Sequence, residues 1–233
     1  MKKSTYLAFF LLYLSFTLQA HQASSNKQYL LYTAAQYQQL DFVDFNKQLV
    51  GLDLVSLPNN TIEVKSGVNL TLRRYMSILT IAFSSSTNES LDFTSQSSQY
   101  RYIGIHFNES FNCLNPESSW FLGPDIGINF SFQQIFLTGK NNSSNFVEAS
   151  NNTVYSFERF SETSQFGIRT QKSFEYSDLF NLSRTISIGL HVGYRFDFRE
   201  DSSPWRLNSA IRQNNLGIST GGWFSAITFG FKW

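Results

Sequence analysis

Alternation between apolar and polar positions is the dominant pattern of this chain, and it recurs in short segments from about residue 47 to the last residue. Ile186, Ile188, Leu190, Val192, Tyr194, Phe196 and Phe198 alternate without a break with Ser187, Gly189, His191, Gly193, Arg195 and Asp197. A strand sends successive side chains to opposite faces, so one face here is continuously apolar and the other polar or small. The same period places Ile62, Val64, Val68, Leu70 and Leu72 opposite Glu63, Lys65, Gly67, Asn69 and Thr71. It places Leu122, Ile126, Ile128, Phe130 and Phe132 opposite Gly123, Asp125, Gly127, Asn129, Ser131 and Gln133. At Arg73-Arg74 the phase flips and Tyr75, Leu79, Ile81 and Phe83 carry the apolar face onward, which fits a tight turn between two strands better than a bulge.

Further strands are expected over Lys47–Leu54, around Ile103–Phe107, over Gln165–Glu175 and at the C-terminus. Ser84–Ser98, Gly139–Thr163 and Arg199–Ser219 read as polar loops, whereas the other connections are short. The expected fold is therefore all-β, an eight-stranded antiparallel transmembrane barrel with short turns at one end and longer loops at the other. A soluble lipocalin-like barrel shows similar alternation. Its water-facing set would be charged, however, and here that set is mainly Gly, Ser, Thr, Asn and Gln, which suits a cramped lumen.

The C-terminal stretch Thr220–Trp233 carries the same signal to its end. Trp223, Ile227, Phe229, Phe231 and Trp233 fall on one face, with Phe224, Ala226, Thr228, Gly230 and Lys232 on the other. An aromatic last residue with aromatics two and four places before it resembles the assembly signal of bacterial outer-membrane β-barrels, and the chain resembles small barrels of the OmpA/OmpX/OmpW type. The resemblance implies that Phe229, Phe231 and Trp233 are read by a barrel-assembly machinery. It also implies an outer-membrane location among outer-membrane lipids and lipopolysaccharide. OmpW-like barrels suggest binding or transport of a small hydrophobic compound as an alternative role, and enzymatic modification of lipid A is a third.

The beginning of the chain agrees with export. Met1-Lys2-Lys3, the apolar run Tyr6–Phe16 and Leu18-Gln19-Ala20 describe a signal peptide over 1–20, cleaved after Ala20. Residues 21–46 are expected to form an N-terminal periplasmic segment, because Leu30, Leu31, Ala34 and Ala35 fit both helix and strand periods, and 47–233 to form the barrel. Aromatic residues make up 17% of the chain, more than a soluble domain spreads so evenly and in line with the girdles of a membrane barrel.

A formal net charge of +1 gives no reason to expect a nucleic-acid partner, and the single Cys113 cannot form an internal disulfide. No Gly-x-Ser-x-Gly elbow is present, and no metal-ligand spacing calls for a cofactor. The candidate functional residues are the ionisable groups on inward positions: Asp53, Glu63, Lys65, His106, Asp125, Arg169, His191, Arg195 and Asp197. They form either a paired network that fills the lumen or the lining of an ion path. Eight strands leave an interior just wide enough for side chains to fill, which favours the network. The expected role is non-enzymatic, structural or surface-interacting, in a monomer without cofactors.

Overall fold

The computed structural model describes residues 27–51, 54–72, 74–89, 96–115, 117–139, 153–177, 183–197, 205–207, 211–213 and 218–232. Seven long strands come first: β1 (Lys27–Gln39), β2 (Asn60–Leu72), β3 (Tyr75–Glu89), β4 (Ser97–Phe111), β5 (Trp120–Gly139), β6 (Thr153–Ser177) and β7 (Ser183–Asp197). After the short strands β8 (Trp205–Leu207) and β9 (Ile211–Gln213), an eighth long strand, β10 (Gly222–Lys232), closes the barrel. Each long strand pairs antiparallel with its neighbours, and the β1–β10 ladder, from Leu31↔Phe231 to Gln38↔Phe224, completes the ring. Every long strand then has a partner on both sides, which leaves no open edge among them.

The outer surface sorts by height. Leu31, Ile81, Ile105, Ile126, Ile168, Leu190 and Ile227 are exposed in a band around the middle. Rings bound it on both sides. Tyr29, Tyr75, Phe111, Trp120, Tyr176 and Phe231 lie towards the short turns, and Tyr37, Phe83, Phe132, Phe160, Phe196 and Trp223 towards the long loops. About ten residues of a tilted strand span roughly 25 Å, the height of a barrel's apolar band. Among the described residues, no helix is long and apolar enough to cross a membrane.

Two elements differ from the sequence reading. Lys27–Gln39, expected within an N-terminal segment over 21–46, is the first barrel strand. The strand expected from Lys47 is instead the helix α1, Val43–Gly51. The helix forms because Phe42, Phe45 and Leu49 recur at spacings of three and four and bury a single face. Asp41 Oδ1 accepts the Val43 N–H at 3.4 Å, and Asp44 stands in the first turn, where the helix dipole favours a carboxylate. The exposed Lys47 bonds Asp44 at 2.9 Å, which raises its pKa, mostly through that hydrogen bond. The two differences offset in the strand count, and residues 40–59 become a long connection at the same end as the other long ones.

The strands around Ser84–Glu89 and Thr153–Thr163, expected as loop, also continue beyond the apolar band. β3 to β6 therefore form a tall wall, while β7, β10, β1 and β2 stop near Asp197, Gly222, Gln39 and Asn60. The short strands β8 and β9 form a hairpin on the upper part of β6, through Phe157↔Leu207 and Glu158↔Arg206. Gly222 opens β10 at φ 148°, a conformation that an L side chain rarely adopts.

Candidate functional site: a lumen of ion pairs under a helical cap

The inward faces of the strands meet in three charged nodes. In the first, the Arg195 guanidinium donates from Nη1 and Nη2 to Glu63 Oε1 and Oε2 at 2.6 and 2.9 Å, a bidentate pair between β7 and β2. Lys65 lies two residues along β2, its Nζ 3.8 Å from Glu63 Oε2. That ammonium donates to Gln36 Oε1 at 2.7 Å and to His106 Nδ1 at 3.0 Å. A lysine ammonium can only donate, so His106 carries its proton on Nε2 and presents it to Tyr102 OH at 2.7 Å.

The second node is centred on Asp125. Its carboxylate accepts Asn108 Nδ2 at 2.7 Å, Ser110 Oγ at 2.6 Å, and both Nε and Nη2 of Arg169 at 3.2 Å. Arg169 also donates to Tyr32 OH at 3.1 Å and contacts His191 Nδ1 at 3.2 Å. His191 Nε2 lies 2.9 Å from Asp125 Oδ1, without the alignment of a hydrogen bond. In the third node Arg159 pairs with Asp197, and Thr220 Oγ1 donates to the same carboxylate at 3.1 Å. Arg159 also donates to Gln133 Oε1 at 3.3 Å and stacks over Trp205 at 5.1 Å.

Burial explains why each carboxylate of the nodes is matched by an arginine. An ion removed from water costs several kcal/mol unless a partner and further hydrogen bonds compensate it. Arg169 and Arg195 are among the largest fully buried side chains in the protein. The structure thus brings together Glu63, Lys65, His106 and Arg195 in one node, Asp125, Arg169 and His191 in another, and Asp197 in the third. Asp53 and Trp233 fall outside the described residues, and Phe229 and Phe231 lie exposed on the outer face. Among the described residues, no cluster of His, Cys, Asp and Glu is arranged to hold a metal ion.

Apolar layers lie above and below the nodes. Towards the long loops, Phe42, Phe45 and Leu49 of the α1 region pack with Tyr100, Ile135, Leu137, Phe157, Trp205 and Ile218 against the inner side of the tall wall. Asn46 fixes the return of this connection: its Oδ1 accepts the Leu57 N–H at 2.7 Å and its Nδ2 donates to Leu57 O at 3.0 Å. A two-way backbone bridge between Asp41 and Ser219 ties it to the approach to β10. Towards the short turns, Tyr32, Ala34, Met76, Ile78 and Phe121 form a second apolar layer. A half-open cavity of about 850 Å³ beneath it is lined by Gln28, Asn112, Phe121, Gln171 and Thr185, among others.

Arg159, Gln36 and the capping residues were not among the sequence candidates. Phe157, Arg159, Ser161 and Thr163 do recur with period two, but their outward partners Glu158 and Glu162 are also polar, so the two faces do not contrast. Trp205 is buried in the cap.

No protein-family model matches the chain, and no curated protein does either. Among solved structures, the crystal structure of a major outer membrane protein from Thermus thermophilus is similar with a TM-score of 0.42 and 11% identity, covering 87% of this chain and 97% of that one. A likeness so distant says nothing of what either barrel does.

Proposed function

We propose that the protein is a non-enzymatic barrel of a bacterial outer membrane, with a structural or surface-interaction role and its long loops turned outward. The observation that carries this reading is the filled lumen: three ion-pair nodes between two apolar layers, the upper one closed by α1. A porin needs a water path, and here the charges that would line one are spent on each other. Both inward histidines are buried inside the nodes, His106 held through both ring nitrogens and His191 through Nδ1. The apolar band, the two aromatic girdles and the aromatic C-terminal alternation support the membrane setting. Export through residues 1–20, and recognition by a barrel-assembly machinery, belong to the same proposal.

Purified protein in planar bilayers tests it. The expected result is no large, stable conductance, with membrane fractionation and a heat-modifiable band showing that the barrel is folded. A steady, large single-channel current would overturn the filled-lumen reading and favour transport.

A further inference from the structure

The outward side chains on the tall wall change character within a single cross-strand row. Val64, Phe83, Ile103, Phe132 and Phe160 follow one another across five strands, and all are apolar. The next row towards the long loops reads Ser85, Arg101, Gln134 and Glu158. The boundary between lipid and water on this face is therefore one residue deep, and Arg101 stands on it. A groove of about 720 Å³ crosses the boundary, with Val64, Phe83, Ile103 and Phe132 on its apolar side, Gln99 and Arg101 on its polar side and Ile62 at one edge.

Arg101 is held in place but not neutralised. Its Nε donates to Gln99 Oε1 at 3.0 Å, and Gln99 Nε2 in turn donates to Ser85 Oγ at 3.1 Å. The guanidinium lies 4.8 Å over the Phe136 ring, which fixes its plane. Among the described residues no carboxylate pairs with it. Glu158, in the same row but two strands along and roughly 10 Å away, takes the Gln134 amide at 3.1 Å. The planar fork of an arginine is suited to bidentate contact with a phosphate, and the partly apolar surroundings strengthen such a contact.

We propose that this groove binds one phosphate-bearing acylated lipid of the surrounding leaflet. The acyl chain lies along Val64, Phe83, Ile103 and Phe132, and the phosphate sits on the Nη groups of Arg101. Gln99 and Phe136 act as positioning residues for the guanidinium. The proposal rests on the membrane reading given above and adds the lipid's chemistry and its place on the wall.

Native mass spectrometry of the full chain released from detergent micelles tests it, with bis-phosphorylated lipid A as probe and its dephosphorylated form as comparison. One retained lipid A is expected. Retention should fall by at least about tenfold in Arg101→Gln and with the dephosphorylated probe, the factor that follows from losing one charge-assisted pair. Lys172→Gln removes a cation at the opposite girdle, stacked 5.0 Å from Trp120, and should leave retention unchanged. Val64→Trp, which fills the apolar side of the groove two strands away from Arg101, should lower it. Equal retention by wild type and Arg101→Gln, or loss in Lys172→Gln instead, overturns the proposal. A heat-modifiable band in every variant keeps the two readings apart: its absence in the wild type refutes the membrane barrel, whereas folded protein indifferent to lipid phosphate refutes only this site.

Discussion

Replacing Lys65 with Met is expected to cost the barrel much less than replacing Glu63 with Gln, although the two side chains are neighbours on the same strand. The reason is the charge balance of the nodes. Among the described residues of the nodes, three carboxylates, Glu63, Asp125 and Asp197, face four basic side chains, Lys65, Arg159, Arg169 and Arg195. Lys65 is the surplus cation, since Arg195 holds both Glu63 oxygens by hydrogen bonds while the Lys65 ammonium, 3.8 Å from Glu63 Oε2, donates to Gln36 and His106. Glu63→Gln leaves Arg195 and Lys65 together without a carboxylate. Removing one partner of a buried pair costs roughly 3–5 kcal/mol. The two cations left in one buried node also repel each other. Lys65→Met removes a repulsion along with an attraction, and chiefly leaves Gln36 Oε1 and His106 Nδ1 short of a donor, about 1–2 kcal/mol. Urea unfolding from lipid vesicles, followed by loss of the heat-modifiable band, measures both. In the double variant the loss should be smaller than the sum of the single losses, because the stranded pair of cations no longer forms. Equal costs for the two single variants, or a larger one for Lys65→Met, would refute this account of the nodes.

Leu190, exposed in the apolar band, becomes unfavourable as Arg by roughly 2–4 kcal/mol in the same unfolding assay, the cost of a charge near the midplane. Gly189→Ser, which alternation alone presents as a tolerant inward change, is also expected to destabilise, by about 1–3 kcal/mol. Its Cβ would lie 2.4 Å from the Thr170 carbonyl oxygen, and wild-type stability would contradict that spacing. Leu49→Asp should loosen the cap and expose residues 40–59 to protease without producing a bilayer current, because the nodes beneath remain; a current would show that the cap alone seals the lumen. Deleting Phe231–Trp233 removes the pairings of Phe231 with Leu31 and Ile186 and of Lys232 with Thr185, at the seam where the ring closes. Failed assembly is expected, and a normal heat-modifiable band in the truncated protein would sink that expectation.

How much of this fold was legible depended on the contrast between the two sides of each strand. β2, β5, β7 and β10 separate lipid-facing apolar groups from small or polar lumen groups, so a period of two reveals them and places Glu63, Lys65, Asp125, Arg195 and Asp197 on the inward side. β1 lacks that contrast. Its inward Leu30, Tyr32 and Ala34 are as apolar as its outward Tyr29, Leu31 and Ala35, because Tyr32 and Ala34 pack in the lower layer of the lumen. The pattern then fits helix and strand equally, and only the partners on β2 and β10 decide it. The upper half of β6 fails in the opposite way. Over residues 157–163 each of its faces mixes polar and aromatic residues, so Arg159 sits in a run that reads as a loop although it anchors a node.

The helix α1 shows a different limit. Val50 and Leu52 alternate with Gly51 and Asp53 over a few residues, enough to suggest a strand, while Phe42, Phe45 and Leu49 carry the helical spacing. A stretch this short supports both periods, and what selects the helix is the place it fills: the mouth of a barrel whose wall is tall on one side only. The exposed inner face of β4, β5 and β6 above the nodes, with Tyr100, Ile135, Leu137 and Phe157, needs an apolar cover. A nine-residue helix with Phe45 and Leu49 on its buried face supplies that cover. The cap is thus specified jointly by residues 42–49 and by the height of strands far along the chain, a relation that no local pattern records.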